Sequence, residues 1–227
     1  MKKFSNRYIF LYISIVVILV ALLLGMASLW LQPFQKANRD NEQKKQVLQA
    51  AGYELDKSVN VADLFLQVAN VDTLSSKENN SSLLYYTVKT SQKETAFVIP
   101  LSGKGLWGPI WGYIAVADDG KTLVGAVFAH KSETPGLGAQ ISTSNFSSAF
   151  RGKLLFDDNG NFVSIKVVKG GVLNSRVAPE HGVDAITGGT ITSRGVEEMI
   201  YHSLLPYVSF LKAQALRSQT NLPTPRE

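Results

Sequence analysis

The 227-residue sequence contains no cysteine. That excludes disulfides, a cysteine nucleophile and cysteine-ligated zinc or iron–sulfur centres within this chain. Histidine is scarce as well. His130, His181 and His202 stand far apart, without the spacing that lets imidazoles share a metal ion. No glycine-rich stretch carries the lysine and spacing of a P-loop. No internal repeat is long enough to imply a solenoid. Charge is missing where it matters most: from Tyr8 to Leu31, about 24 residues, there is none, and Ile15 to Leu24 is wholly apolar.

A helix of that length rises about 36 Å, enough to cross a hydrocarbon core of about 30 Å with some tilt. Lys2, Lys3 and Arg7 precede the run, and Tyr8, Tyr12 and Trp30 suit the two interfacial zones. A cleaved signal peptide would begin in the same way, and Gly25-Met26-Ala27 offers a small-x-small site. The apolar run continues past it through Leu29, Trp30 and Leu31, too far for an ordinary signal peptide, so a retained anchor is the better reading. A short basic N-terminus stays cytoplasmic, which puts the bulk of the chain on the outer side. The formal charge is +5, from 23 basic and 18 acidic residues, with much of the excess in the first seven residues and the following neck. No run of aromatic stacking residues interleaves with it, so the bias reads as membrane-flanking and not as a nucleic-acid surface.

Pro33 marks where the anchor helix is expected to kink or stop, and Phe34 to Ala51 reads as a short neck helix closed by Gly52 at its C′ position. A second helix is expected over Asn60–Ala69, then a loop from Asp72 to Ser82. Strands follow at Leu83–Val88, Glu94–Pro100, Tyr113–Ala117 and Thr122–Ala129, the last two joined by a turn at Asp118-Asp119-Gly120. Phe162–Val168 alternates like another strand. From Ser193 the apolar residues Val196, Met199, Ile200, Leu204, Leu205 and Val208 recur at helical spacing. The expected fold class is α+β, a mostly antiparallel sheet with a C-terminal helix. The expected division is tail and anchor over 1–33, helical neck over 34–58, one domain over 59–217 and a disordered tail over 218–227.

The most informative stretch is Asp184-Ala185-Ile186-Thr187-Gly188-Gly189-Thr190-Ile191-Thr192-Ser193, set before the expected helix. Two glycines allow an unusual backbone path and close approach of a bulky group. Thr192 or Ser193 is placed to cap the helix, with Glu197 a turn later. A phosphate at that helix start would meet free N–H groups and the positive end of the dipole. By chemistry alone this remains a weak phosphate signal, because Gly-Gly-Thr before a helix commonly makes only a turn and a cap. Lys166 and Lys169 either meet a phosphate or face water.

The stretch resembles the flavinylation motif of bacterial FMN-binding domains, in which an aspartate precedes Ser/Thr-Gly-Ala/Gly-Thr/Ser-x-Thr. The departures are mild: Thr187 stands where serine is common and Gly189 where alanine is common. Glu133-Thr134-Pro135-Gly136-Leu137-Gly138 is similar to a second loop of the same family, and Gly103-Lys104-Gly105-Leu106-Trp107-Gly108 to a third segment. The resemblance covers nearly the whole chain and is closest to the C-subunit family of the sodium-translocating NADH:quinone oxidoreductase. The electron-transport G subunit of the Rnf complex, or a non-redox anchored interaction domain, are the alternatives. The resemblance implies an extracytoplasmic FMN domain on a single-pass anchor in the bacterial inner membrane. It implies FMN esterified through its phosphate to Thr190 by a flavinyltransferase. Asp184, Thr187, Gly188, Gly189, Ile191, Thr192, Glu133, Thr134, Leu137, Gly138, Leu106 and Trp107 would then bind the cofactor. The implied role is electron relay beside the membrane subunits B, D and E of a complex that oxidises NADH, reduces quinone and exports sodium.

Overall fold

The computed structural model describes residues 5–56, 59–75 and 82–220. Lys2 and Lys3, part of the loop expected from Asp72 to Ser82 and the final residues of the expected tail lie outside them. The chain divides into two units, Met1–Gln43 and Lys44–Glu227. Helix α1 spans Asn6–Ala50 and does not end at Pro33. A proline removes one intrahelical hydrogen bond, and the good helix formers on both sides, Leu29, Leu31, Gln35, Lys36 and Ala37 among them, carry the helix across that gap. Within the first unit the apolar side chains are exposed around the whole helix, as at Phe10, Leu22, Leu24 and Trp30. This helix is long and apolar enough to cross a membrane.

The second unit begins with the last turns of α1, whose Val47, Leu48 and Ala50 are buried. The helix closes as expected at Gly52, which has φ +89°. The Tyr53 N–H donates to the Leu48 carbonyl and the Gly52 N–H to that of Gln49, both at 3.0 Å. This paired closure needs a left-handed residue, the role glycine fills without strain. Helix α2 (Val61–Val68) is capped by the Asn60 side chain, which accepts from the Ala62 and Asp63 N–H groups.

Strands β1 (Ala69–Ser75), β2 (Ser82–Lys89), β3 (Thr95–Lys104), β4 (Pro109–Ala117) and β5 (Leu123–His130) form one antiparallel sheet in sequential order. Residues Asp72–Ser75 are thus strand, where composition suggested loop; β2 supplies the partners that the Asp72-Thr73 pair does not advertise. At the β4–β5 turn, the Asp119 carboxylate accepts from the Lys121 and Thr122 N–H groups at 2.9 and 2.8 Å.

Side chains alternate across this sheet, and both faces are covered. Ala96, Val98, Tyr113 and Ala115 face the end of α1 and Phe65 of α2. Burial, with a smaller contribution from the neighbouring Tyr86, pushes the Tyr113 phenol up to about 12, so it stays neutral across the physiological range. Ile99, Leu101, Ile110, Ile114 and Val116 face the main core with Phe128, Phe146, Val196, Met199 and Ile200. That core is closed by α3 (Ser144–Ser148), α4 (Thr190–Leu204) and α5 (Val208–Thr220). The last of these is still helical at Thr220, beyond the point where the tail was expected to begin.

Only Lys166–Val168 of the alternating run at 162–168 is a strand (β6), and it pairs in parallel with β7 (Gly182–Asp184). The extended path breaks at Ser164, whose φ is +59°. Its Oγ is buried and has no hydrogen-bond partner among the described residues. A left-handed non-glycine backbone and an unsatisfied buried hydroxyl both cost stability. Ser164→Gly should therefore stabilise the chain by about 1 kcal/mol, read from the midpoint of denaturant unfolding. A lowered midpoint would mean that the hydroxyl has a bonded partner in solution.

Candidate functional site

Helix α4 begins at Thr190, three residues earlier than its apolar periodicity announced. Gly189 is its N-cap and supplies no side-chain cap. Thr192 and Ser193, expected as caps, lie inside the first turn, and their hydroxyls are used elsewhere. Thr192 Oγ1 donates to Glu133 Oε2 at 2.5 Å, and Ser193 Oγ accepts from the Ile186 N–H at 3.0 Å. Glu197 accepts from Lys166 Nζ at 3.1 Å and from the Val167 N–H at 2.9 Å, which ties β6 to α4. This pairing engages Lys166; Lys169 is exposed.

The turn before α4 closes with the Gly189 N–H donating to the Ile186 carbonyl at 3.0 Å, and Gly188 takes φ +76° within it. The first helical bond is Ser193 N–H to the Gly189 carbonyl at 2.8 Å. The N–H groups of Thr190, Ile191 and Thr192 therefore precede the helical ladder, and among the described residues no side chain accepts from them. The Thr190 side chain at this helix start is exposed.

Three distant segments meet at Glu133, which is only 4% exposed. Its Oε1 accepts from the Trp107 N–H at 2.8 Å, and its own N–H donates to His130 Nδ1 at 3.2 Å. Side chains are excluded around it: a Cβ on Gly105 would lie 2.5 Å from Oε1, and one on Gly138 2.5 Å from Oε2. Gly138 also sits against α4, since a Cβ on Gly189 would come within 3.2 Å of the Gly138 nitrogen. Helix α4 approaches the end of β3 closely through Gly195, where a Cβ would lie 2.5 Å from the Lys104 carbonyl oxygen. Gly195→Ala should cost about 1–3 kcal/mol by overpacking, measured by denaturant unfolding; an unchanged midpoint would mean the helix can slide.

Exposed apolar side chains stand on the segments that Glu133 joins to the turn of Thr190. Leu106, Trp107, Leu137 and Ile191 are 46%, 66%, 42% and 60% exposed. Beside it runs an open groove of about 700 Å3, lined in part by Gly136, Gln140, Phe146, Leu173, Asp184 and Thr187. Thr190 itself does not line the groove, which starts at the preceding turn. Asp184 is not drawn to Glu133; its Oδ1 accepts from the Val172 N–H at 2.7 Å and holds the 170–172 turn. Thr134 contributes its backbone carbonyl, which accepts from the Leu137 and Ala139 N–H groups at 3.1 Å. Sequence reasoning missed Gly105 and Gly195. The signal for Gly105 is its place in Gly103-Lys104-Gly105; the signal for Gly195 is a glycine inside a helix, which is costly unless packing demands it.

An exposed hydroxyl, three N–H groups outside the helical ladder beside it and a rim of bare apolar side chains fit a group with a phosphate end and a flat, largely apolar ring. The fold and site define a flavin-binding domain: residues 105–204 match the FMN-binding domain family. A protein of Haemophilus ducreyi, named as the C subunit of a Na(+)-translocating NADH-quinone reductase, is 28% identical, with 95% of this chain and 99% of that protein covered. The protein of the same name from Vibrio anguillarum is 41% identical over 112 residues, which span 49% of this chain and 42% of the relative. The crystal structure of the corresponding protein from Parabacteroides distasonis superposes with a TM-score of 0.70 at 36% identity, over 80% of this chain and 96% of the other. The chain belongs to the C-subunit family of the Na(+)-translocating NADH-quinone reductases. These relatives favour that family over the Rnf-type alternative.

Proposed function

We propose that this chain carries FMN covalently on Thr190 and relays electrons within a sodium-translocating NADH:quinone reductase complex. The observation that carries this reading is the state of the four hydroxyls in the motif. Thr192 and Ser193 are each 1% exposed and hydrogen-bonded. Thr187 belongs to the turn. Thr190 alone combines an exposed hydroxyl with a position at the start of α4, beside N–H groups that can receive a phosphate.

In the attachment step, Thr190 Oγ1 attacks the flavin-side phosphorus of FAD, supplied with a flavinyltransferase. The phosphorus–oxygen bond to the AMP half breaks, AMP leaves, and the threonine proton passes to solvent. No electrons change hands. FMN, when bound, supplies one- and two-electron redox chemistry. The chain's own residues anchor it at Thr190, receive its phosphate at the Thr190–Thr192 N–H groups, and offer Leu106, Trp107, Leu137 and Ile191 to its ring. Gly188 and Gly189 let the backbone approach; Asp184 and Thr187 border the adjoining groove; Thr134 and Gly138 shape the facing loop.

Helix α1 holds the domain at the membrane, with the N-terminus cytoplasmic and the flavin domain outside, beside membrane subunits B, D and E. NADH oxidation and the sodium path belong to the other subunits. The test is intact mass after reaction with flavinyltransferase and FAD, with a denaturing gel viewed under ultraviolet light. A fluorescent band heavier by FMN less water is expected. A dark, unshifted band, while a control substrate is modified, would leave an anchored domain without this cofactor linkage.

A further inference from the structure

We propose that Glu133 is a positioning residue for flavin attachment, acting through Thr192 to hold the first turn of α4 in the orientation that presents Thr190; the proposal rests on the Thr190 reading. The Glu133 side chain is 4% exposed and, among the described residues, has no basic partner. Burying a carboxylate without a cation is costly, so two good donors must satisfy it. Those donors come from different parts of the chain: the Trp107 N–H at 2.8 Å and the Thr192 hydroxyl at 2.5 Å. A carboxylate accepts at both oxygens at once, which no hydroxyl or aliphatic side chain could do here.

The geometry makes this a clamp on the attachment point. Thr192 is two residues past Thr190, in the same turn, and its hydroxyl points inward to Glu133. With 100° between successive residues in an α-helix (3.6 per turn), fixing Thr192 inward fixes the direction of Thr190 on the far side of the turn. Ser193 clamps the same turn from the other side by accepting from the Ile186 N–H. Through Oε1 the same carboxylate sets the Trp107 backbone, and with it one wall of the apolar rim. Gly105 and Gly138 leave the carboxylate room for this placement, because a Cβ at either would sit 2.5 Å from one of its oxygens.

The test follows the initial rate of FMN transfer to the full chain in detergent, read by intact mass with purified flavinyltransferase and FAD. Thr192→Val and Glu133→Ala should each slow the reaction at least tenfold, and the double variant should be no slower than Glu133→Ala alone. Glu133→Gln should recover part of the rate, since its carbonyl can accept from Trp107 and its amide can donate to Thr192. Circular dichroism of the attached flavin's visible bands should weaken in Thr192→Val, a change that loss of stability alone would not produce. Should Glu133→Ala fail to fold, Thr192→Val decides by itself, since it removes one hydroxyl at constant volume. Folded Thr192→Val modified at the wild-type rate with an unaltered flavin spectrum would overturn the proposal, as would multiplicative losses in a folded double variant. A wild-type chain left unmodified beside a modified control would instead remove the Thr190 reading beneath it.

Discussion

Thr190→Val is expected to abolish covalent FMN while leaving the domain folded. The substitution removes the one atom that would form the proposed ester, so the expected effect is complete loss and not a graded weakening. Valine has nearly the volume of threonine, and the side chain it replaces is exposed at the first position of α4. The stability cost should stay within about 0.5 kcal/mol, as for surface changes generally. Neighbouring hydroxyls are not expected to take over, since Thr192 and Ser193 are buried and engaged. Thr190→Ser, which keeps the oxygen, should still be modified. Intact mass of the three proteins decides: an FMN increment persisting in Thr190→Val would move the attachment point to another residue.

Leu48→Ala should destabilise the second unit by about 2–5 kcal/mol, the range for a buried leucine truncated to alanine. Leu48 is fully buried, among Val47, Phe65, Val88, Val98 and Ala115. It belongs to the last turn of a helix closed rigidly by Gly52, so the surroundings cannot collapse easily into the space left behind. Urea unfolding of the full chain in detergent, followed by tryptophan fluorescence, measures the change. Trp107 and Trp111 lie at the far end of the β3–β4 hairpin and report the domain without touching the substituted residue. A loss below about 1 kcal/mol would mean this face of the sheet is loosely packed.

What could be read directly from sequence was punctuation and periodicity. Gly52 as a helix terminator and Asp118-Asp119-Gly120 between two strands are local signals, and the structure uses each as expected; Asn60, expected as the first residue of a helix, caps α2 instead. Strand β1 was invisible because its Asp72-Thr73 pair looks like a loop; pairing with β2 outweighs that local preference. The break at Ser164 was invisible for the opposite reason: apolar alternation ran on through a residue with a left-handed backbone. At the site, the glycines and threonines of the motif stood out, but their division of labour did not. Burial of Glu133 decides it, and a lone glutamate in a loop gives no hint of being buried; the hint lay in the glycines at 105 and 138 that make way for it.

The joining of the end of α1 to the outer face of the sheet decides where this chain can be shortened. A soluble version for spectroscopy must shed the apolar run, and the obvious place to cut is the polar stretch that follows it. Starting after Gly52 would strip Val47, Leu48, Ala50 and Ala51 from the sheet and bare Val88, Ala96, Val98 and Ala115 to water. Such a fragment would be sticky and prone to self-association. Beginning upstream of Lys44 keeps those side chains as a lid and leaves a polar leader to shield them.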